Sequence, residues 1–151
     1  MRKGLQAIMH GTGNLSLKKI EQTKISLHLG QAIDAQSQNQ EEAAADELAH
    51  ALLAGFEHPA LYFDLGMLRT KAGRIESAIR HLKPAVKHAD FGLASRLLLG
   101  KNLRRLGRIP EAATEYLEAL KLADVMLVAE EQADALRQLY EPLIEAQMQE
   151  E

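Results

Sequence analysis

Cysteine is absent from the 151 residues, which removes disulfides, thiolate metal sites and cysteine nucleophiles together. Tryptophan is absent too, and phenylalanine and tyrosine number three each. Valine, isoleucine and threonine together supply only 15 positions. Strands draw on those β-branched and aromatic residues, so a mainly β fold is excluded by supply. No run approaches the roughly 20 apolar residues needed to cross a bilayer. The opening Met1-Arg2-Lys3-Gly4-Leu5 is basic but leads into no sustained apolar stretch, so it does not read as a secretory signal. Together with the missing cysteines this predicts a cytoplasmic address.

Catalytic patterns are missing as well. Gly11-Thr12-Gly13 lacks the glycine and lysine spacing of a phosphate loop. The six histidines (His10, His28, His50, His58, His81 and His88) form no HExxH pattern. His81 and His88 would share one helix face two turns apart. Solvent-facing histidines are the favoured reading throughout. The acid pairs Glu41-Glu42 and Glu130-Glu131 fall at predicted helix starts, where the helix dipole welcomes them. The expectation is a non-enzyme with no catalytic residues, no metal ligands and no cofactor.

What the chain does have is alanine (23) and leucine (25), both strong helix formers. The class they specify is all-α. Net charge is only −3, but it is strongly segregated. Residues 1–24 are basic, at +4, and residues 25–58 hold six acids with no lysine or arginine. Residues 59–92 and 93–126 are again basic, whereas 127–151 carry seven acids against one arginine. Blocks of this kind suit an elongated molecule with electrically distinct stretches.

These boundaries coincide with an internal repeat of 34 residues. Laid without gaps, 59–92 and 93–126 share eleven identities, where about two or three would arise by chance at average composition. They include Leu65/Leu99, Gly66/Gly100, Ala78/Ala112, Ala85/Ala119, Asp90/Asp124 and the run Gly73-Arg74-Ile75 against Gly107-Arg108-Ile109. A fainter copy lies in 25–58, with Ala32, Asn39, Ala44, Leu48 and Ala51 at the matching places.

Each unit reads as two helices. In the middle one, Pro59 suits a first turn, and Leu61, Tyr62, Leu65, Leu68 and Ala72 form a helical stripe. Gly73 ends that helix in the left-handed conformation. A second helix is predicted from Ile75 to Ala89, kinked at Pro84, with Asp90 capping the next one and Asp124 repeating the arrangement. Pro110 falls at a tolerated first-turn site. Gly66 and Gly100 lie within helices, where glycine costs about 0.5–1 kcal/mol against alanine. Recurrence of that cost in one register predicts a close approach, with Leu82 and Tyr116 filling beside the matching alanines. Residues 16–24 should extend the first helix backwards, with Leu17, Ile20 and Leu27 on one stripe. Leu5, Ile8 and Met9 form an apolar cluster in a tail or a short helix. A last helix from about Ala129 carries Ala133, Leu136, Leu139, Tyr140, Leu143 and Ile144 under a polar outer face, with a kink or break at Pro142.

The period and the pattern Tyr62…Leu65-Gly66…Gly73…Ala78…Leu82…Ala85 resemble the tetratricopeptide repeat, and Leu99-Gly100…Leu103…Gly107…Ala112…Tyr116…Ala119 is similar to it as well. In the first unit His28 and Gln31 replace the large apolar residues of the pattern. The resemblance implies a right-handed α-α superhelix of stacked helix-turn-helix repeats, over 25–58, 59–92 and 93–126. A tail and helix extension would precede them in 1–24, and a capping helix would follow in 127–151. It also implies a protein-binding module whose first helices line a concave groove. Leu29, Ile33, Phe63, Met67, Leu97 and Lys101 would be the floor of that groove. Arg104 and Arg105, with Lys101, would select an acidic flank of the partner. Packing between successive first helices is the competing explanation of the apolar column. The subclass that grips chaperone C-terminal carboxylates is rejected, because Leu29, Ile33, Asp64, Ala94 and Leu98 stand where it uses Lys, Asn, Asn, Lys and Arg. Nucleic acid is disfavoured by net charge, and no membrane partner is expected. The alternatives are a self-associating scaffold and a chaperone that shields an apolar client segment.

Overall fold

The structure is a computed structural model that describes residues 13–151, with side chains described from Lys19 onward. The cluster Leu5, Ile8 and Met9 and the side chain of Leu17 lie outside those residues. Among the described residues there are seven helices and no strand: α1 (Gly13–Ser37), α2 (Glu41–Leu53), α3 (Pro59–Lys71), α4 (Ile75–Ala85), α5 (Gly92–Arg105), α6 (Ile109–Met126) and α7 (Glu130–Met148). The protein is all-helical, and no described helix is long and apolar enough to cross a membrane. It divides into two compact units, with the boundary between His58 and Pro59.

The first unit pairs α1 with α2. Among its described residues the buried ones are almost all alanine: Ala32, Ala35, Ala44, Ala45 and Ala51, with Leu48 the one large member. Ile20 and Leu27 are exposed, so the stripe expected along the start of α1 is not a buried one. The chain leaves α1 through Asn39, whose φ of 58° is left-handed.

The second unit packs α3 on α4, α4 on α5, α5 on α6 and α6 on α7, and α3 also touches α5. Its core gathers Ile79, Leu82, Leu99, Leu103 and Ala112, with Phe63, Ile75, Val86, Leu98 and Tyr116 packed against it. The close approach expected of the two glycines is present. A Cβ on Gly66 would stand 2.4 Å from Leu82, and one on Gly100 would stand 2.7 Å from Tyr116.

Each turn within a helix pair has the same backbone geometry. Gly73 (φ 76°) and Gly107 (φ 77°) end α3 and α5 as Asn39 ends α1. In each, the next N–H reaches back five residues: Gln40 to Ala35 O (2.8 Å), Arg74 to Arg69 O (2.9 Å) and Arg108 to Leu103 O (2.9 Å). This is the closure that satisfies the last helical carbonyls when the terminating residue is left-handed.

Five expectations need correction. Helix α4 stops at Ala85 rather than reaching Ala89 with a kink, because Pro84 offers no N–H to the carbonyl of Arg80. Asp90 does not cap α5; Phe91 holds that place without a side-chain cap. Asp124 lies inside α6, where no proline interrupts the register, and its carboxylate accepts a hydrogen bond from Tyr140 Oη. Helix α7 runs unbroken through Pro142, with Tyr140 and Ile144 buried to either side of the missing hydrogen bond. Its outer face is also less polar than expected, since Leu139 is 64% exposed and Leu143 is 52% exposed.

Candidate functional site

Helices α3 and α5 carry most of the residues expected to bind a partner. Phe63 and Met67 are half-buried on α3. Phe63 leans on the unit's core, and its ring centroid is 6.0 Å from that of Phe91. It is therefore a packing residue on one side and an accessible one on the other. Leu97 on α5 is 44% exposed. The two helices are tied by Asn102 Nδ2 donating to Thr70 Oγ1 (2.9 Å), which in turn donates to the carbonyl of Gly66 (2.7 Å). Lys101, Arg104 and Arg105 extend the same α5 surface, exposed and without an ion-pair partner among the described residues. Arg108 differs, because its Nε donates to Glu111 at 2.7 Å. Leu29 and Ile33 belong to the first unit, on α1, where Leu29 is half-buried and Ile33 is 65% exposed.

Asp64 is the half-buried acid on α3, and burial raises its carboxyl above the usual carboxylate range. The folded chain thus holds this proton more readily than the unfolded one. Stability falls as pH rises from the ordinary carboxylate pKa through the raised one. Asp64→Asn is therefore expected to raise the thermal midpoint at neutral pH, and the gain should vanish in acid, where both states are protonated. Melts recorded across that range check it, and equal midpoints at neutral pH refute it.

A second set of polar groups sits at one register of the repeat. In the third repeat Arg96 Nη1 donates to Glu115 Oε2 at 2.9 Å between α5 and α6. Burial raises the Glu115 carboxyl against the opposing pull of Arg96. In the middle repeat the matching residues are Tyr62 and His81. His81 bonds through Nδ1 to the carbonyl of Ser77 (2.9 Å), and its burial lowers the imidazole pKa. His88 lies beyond the end of α4, where its Nδ1 accepts the backbone N–H of Asp90 (3.2 Å). The shared face expected for His81 and His88 is thus not formed on one helix.

In the first repeat the same register brings His28 of α1 to Glu47 of α2, with Nδ1 and Oε2 at 2.7 Å. One turn along α2, His50 adds a second imidazole, its ring centroid 5.0 Å from that of His28 and its Nδ1 3.9 Å from Glu47 Oε2. One ligand atom from each of the three residues lies within 4.8 Å of the other two. No metal ligands were expected from the sequence, because these residues are split between two helices and the spacing alone matches no motif. The available signal was His28 itself, a polar residue at the register that Tyr62 fills in the middle repeat. The chain matches no model of a known protein family, no curated protein and no solved structure.

Proposed function

We propose that the protein is a non-catalytic binding module of tetratricopeptide-like helix pairs that receives a segment of another protein. The observation that carries this reading is the surface of α3 and α5. There Phe63 and Met67 on α3 and Leu97 on α5 are partly or fully accessible, and α5 goes on to carry the exposed cations Lys101, Arg104 and Arg105. Apolar anchors supply most interface energy, while unpaired cations at the edge speed the encounter with an acidic segment. The recurring left-handed turns and the two glycine contacts support stacked repeats of the kind that wind into a right-handed superhelix. A chaperone would use the same surface on a broader set of apolar segments.

Phe63→Ala with Met67→Ala should weaken the partner at least tenfold, about 1.4 kcal/mol, with little salt dependence. Phe63 also packs on the core, so Leu97→Ala with Met67→Ala is the variant that separates binding from folding. Arg104→Glu with Arg105→Glu should slow association, most strongly at low salt. Binding kinetics against a partner captured from lysate check all three. Full-strength binding by a folded Leu97→Ala, Met67→Ala chain removes this surface from the function.

The exposed Leu139 and Leu143 of α7 favour a second reading, self-association through that helix. Sedimentation of the wild type against Leu139→Glu with Leu143→Glu distinguishes the two, since only self-association predicts a smaller species in the variant.

A further inference from the structure

We propose that His28, Glu47 and His50 form a binding site for a divalent transition-metal ion, with zinc as the reference ion. The donor set is two imidazole nitrogens and one carboxylate oxygen, all chemically suited to zinc, and it leaves a fourth position open to water. A tetrahedral ion with ligands at about 2.0–2.2 Å holds them about 3.3 Å apart. The His28–Glu47 pair at 2.7 Å must open slightly, and the His50–Glu47 pair at 3.9 Å must close by a similar amount. Both adjustments are within the reach of side-chain rotation.

Three observations favour an ion over a plain polar clasp between α1 and α2. A clasp needs only two groups, as Arg96 and Glu115 demonstrate in the same register. His50 is superfluous to it, since 3.9 Å is beyond a hydrogen bond, yet it stands beside both other donors. The surrounding stretch, residues 25–58, holds no lysine or arginine, so no cationic side chain within it competes for Glu47. The neighbouring amine on α1, Lys24, is turned to Glu21 at 3.9 Å. Finally, the described buried residues of this helix pair are nearly all alanine, which gain little from burial. A cross-helix ion would secure what the thin core does not.

The test is titration of zinc chloride into the metal-stripped full chain by calorimetry, paired with thermal melts at each zinc concentration. One site per chain with micromolar or tighter affinity is expected, together with a zinc-dependent rise in the melting midpoint. His50 is exposed, so His50→Gln should leave the metal-free melt unchanged while weakening zinc at least tenfold and removing the zinc-dependent rise. His58→Gln with His88→Gln should leave both readouts as in the wild type. The proposal is overturned if the wild type takes up no zinc at micromolar free ion. Full affinity in His50→Gln overturns it too, as does loss of binding in the His58, His88 variant.

Discussion

Gly66→Leu and Gly100→Leu should each unfold the second unit far earlier than the wild type. At Gly66 even the first added carbon would stand 2.4 Å from Cγ and Cδ2 of Leu82, a side chain with no exposed surface into which to retreat. At Gly100 it would stand 2.7 Å from the ring of Tyr116. Overpacking of this kind costs about 1–3 kcal/mol and more where the backbone cannot shift. The better helix propensity of leucine returns only about 0.5–1 kcal/mol. In a unit of this size each kcal/mol lowers the midpoint by about 4–8 °C, so drops of about 10 °C are expected. Gly30 is the control, because nothing lies within 4 Å of a Cβ placed there. Gly30→Ala should stabilise modestly. Circular-dichroism melts of the three variants decide the matter, and unchanged midpoints for both leucine variants would sink the packing argument.

Leu82→Ala should cost about 2–5 kcal/mol, the range for deleting a fully buried leucine from a well-packed core. The informative experiment is its combination with Gly66→Ala. Leu82→Ala deletes the atoms that a methyl group at position 66 would strike, so the double variant should be more stable than the sum of the single changes predicts. Urea titrations of the four chains measure that coupling. Strict additivity would mean that the two side chains do not share one space.

Much of this packing was legible because the sequence states it more than once. Gly73, Gly107 and Asn39 occupy one register, and all three turn out left-handed at the same kind of helix end. Gly66 and Gly100 were readable for the same reason, as a recurring cost that must have a recurring cause. Features that occur once were harder. Pro84 reads as a kink within a helix running to Ala89, whereas the helix ends at Ala85. Asp124 looks like a cap by analogy with Asp90, yet neither caps: Phe91 holds the cap place before α5, and Asp124 lies inside α6. The stripe along α7 was read as buried throughout, but a single supporting helix covers only Ala133, Tyr140 and Ile144. The triad of His28, Glu47 and His50 depends on how α1 meets α2, which no local pattern encodes.

The early end of α4 has a counterpart in the first pair and none in α6. The second helix of the first pair gives way before Gly55, which has φ 105°, and that of the middle pair ends at Ala85, one residue past Pro84. Each breaker frees the chain to turn and begin another pair. The corresponding places in α6 are Ala123 and Glu118, and neither interrupts a helix. So α6 continues about two turns past the point that matches the end of α4, carrying Asp124 to the hydroxyl of Tyr140 on α7. The extra turns convert what is connecting chain after the other two pairs into helical surface for α7.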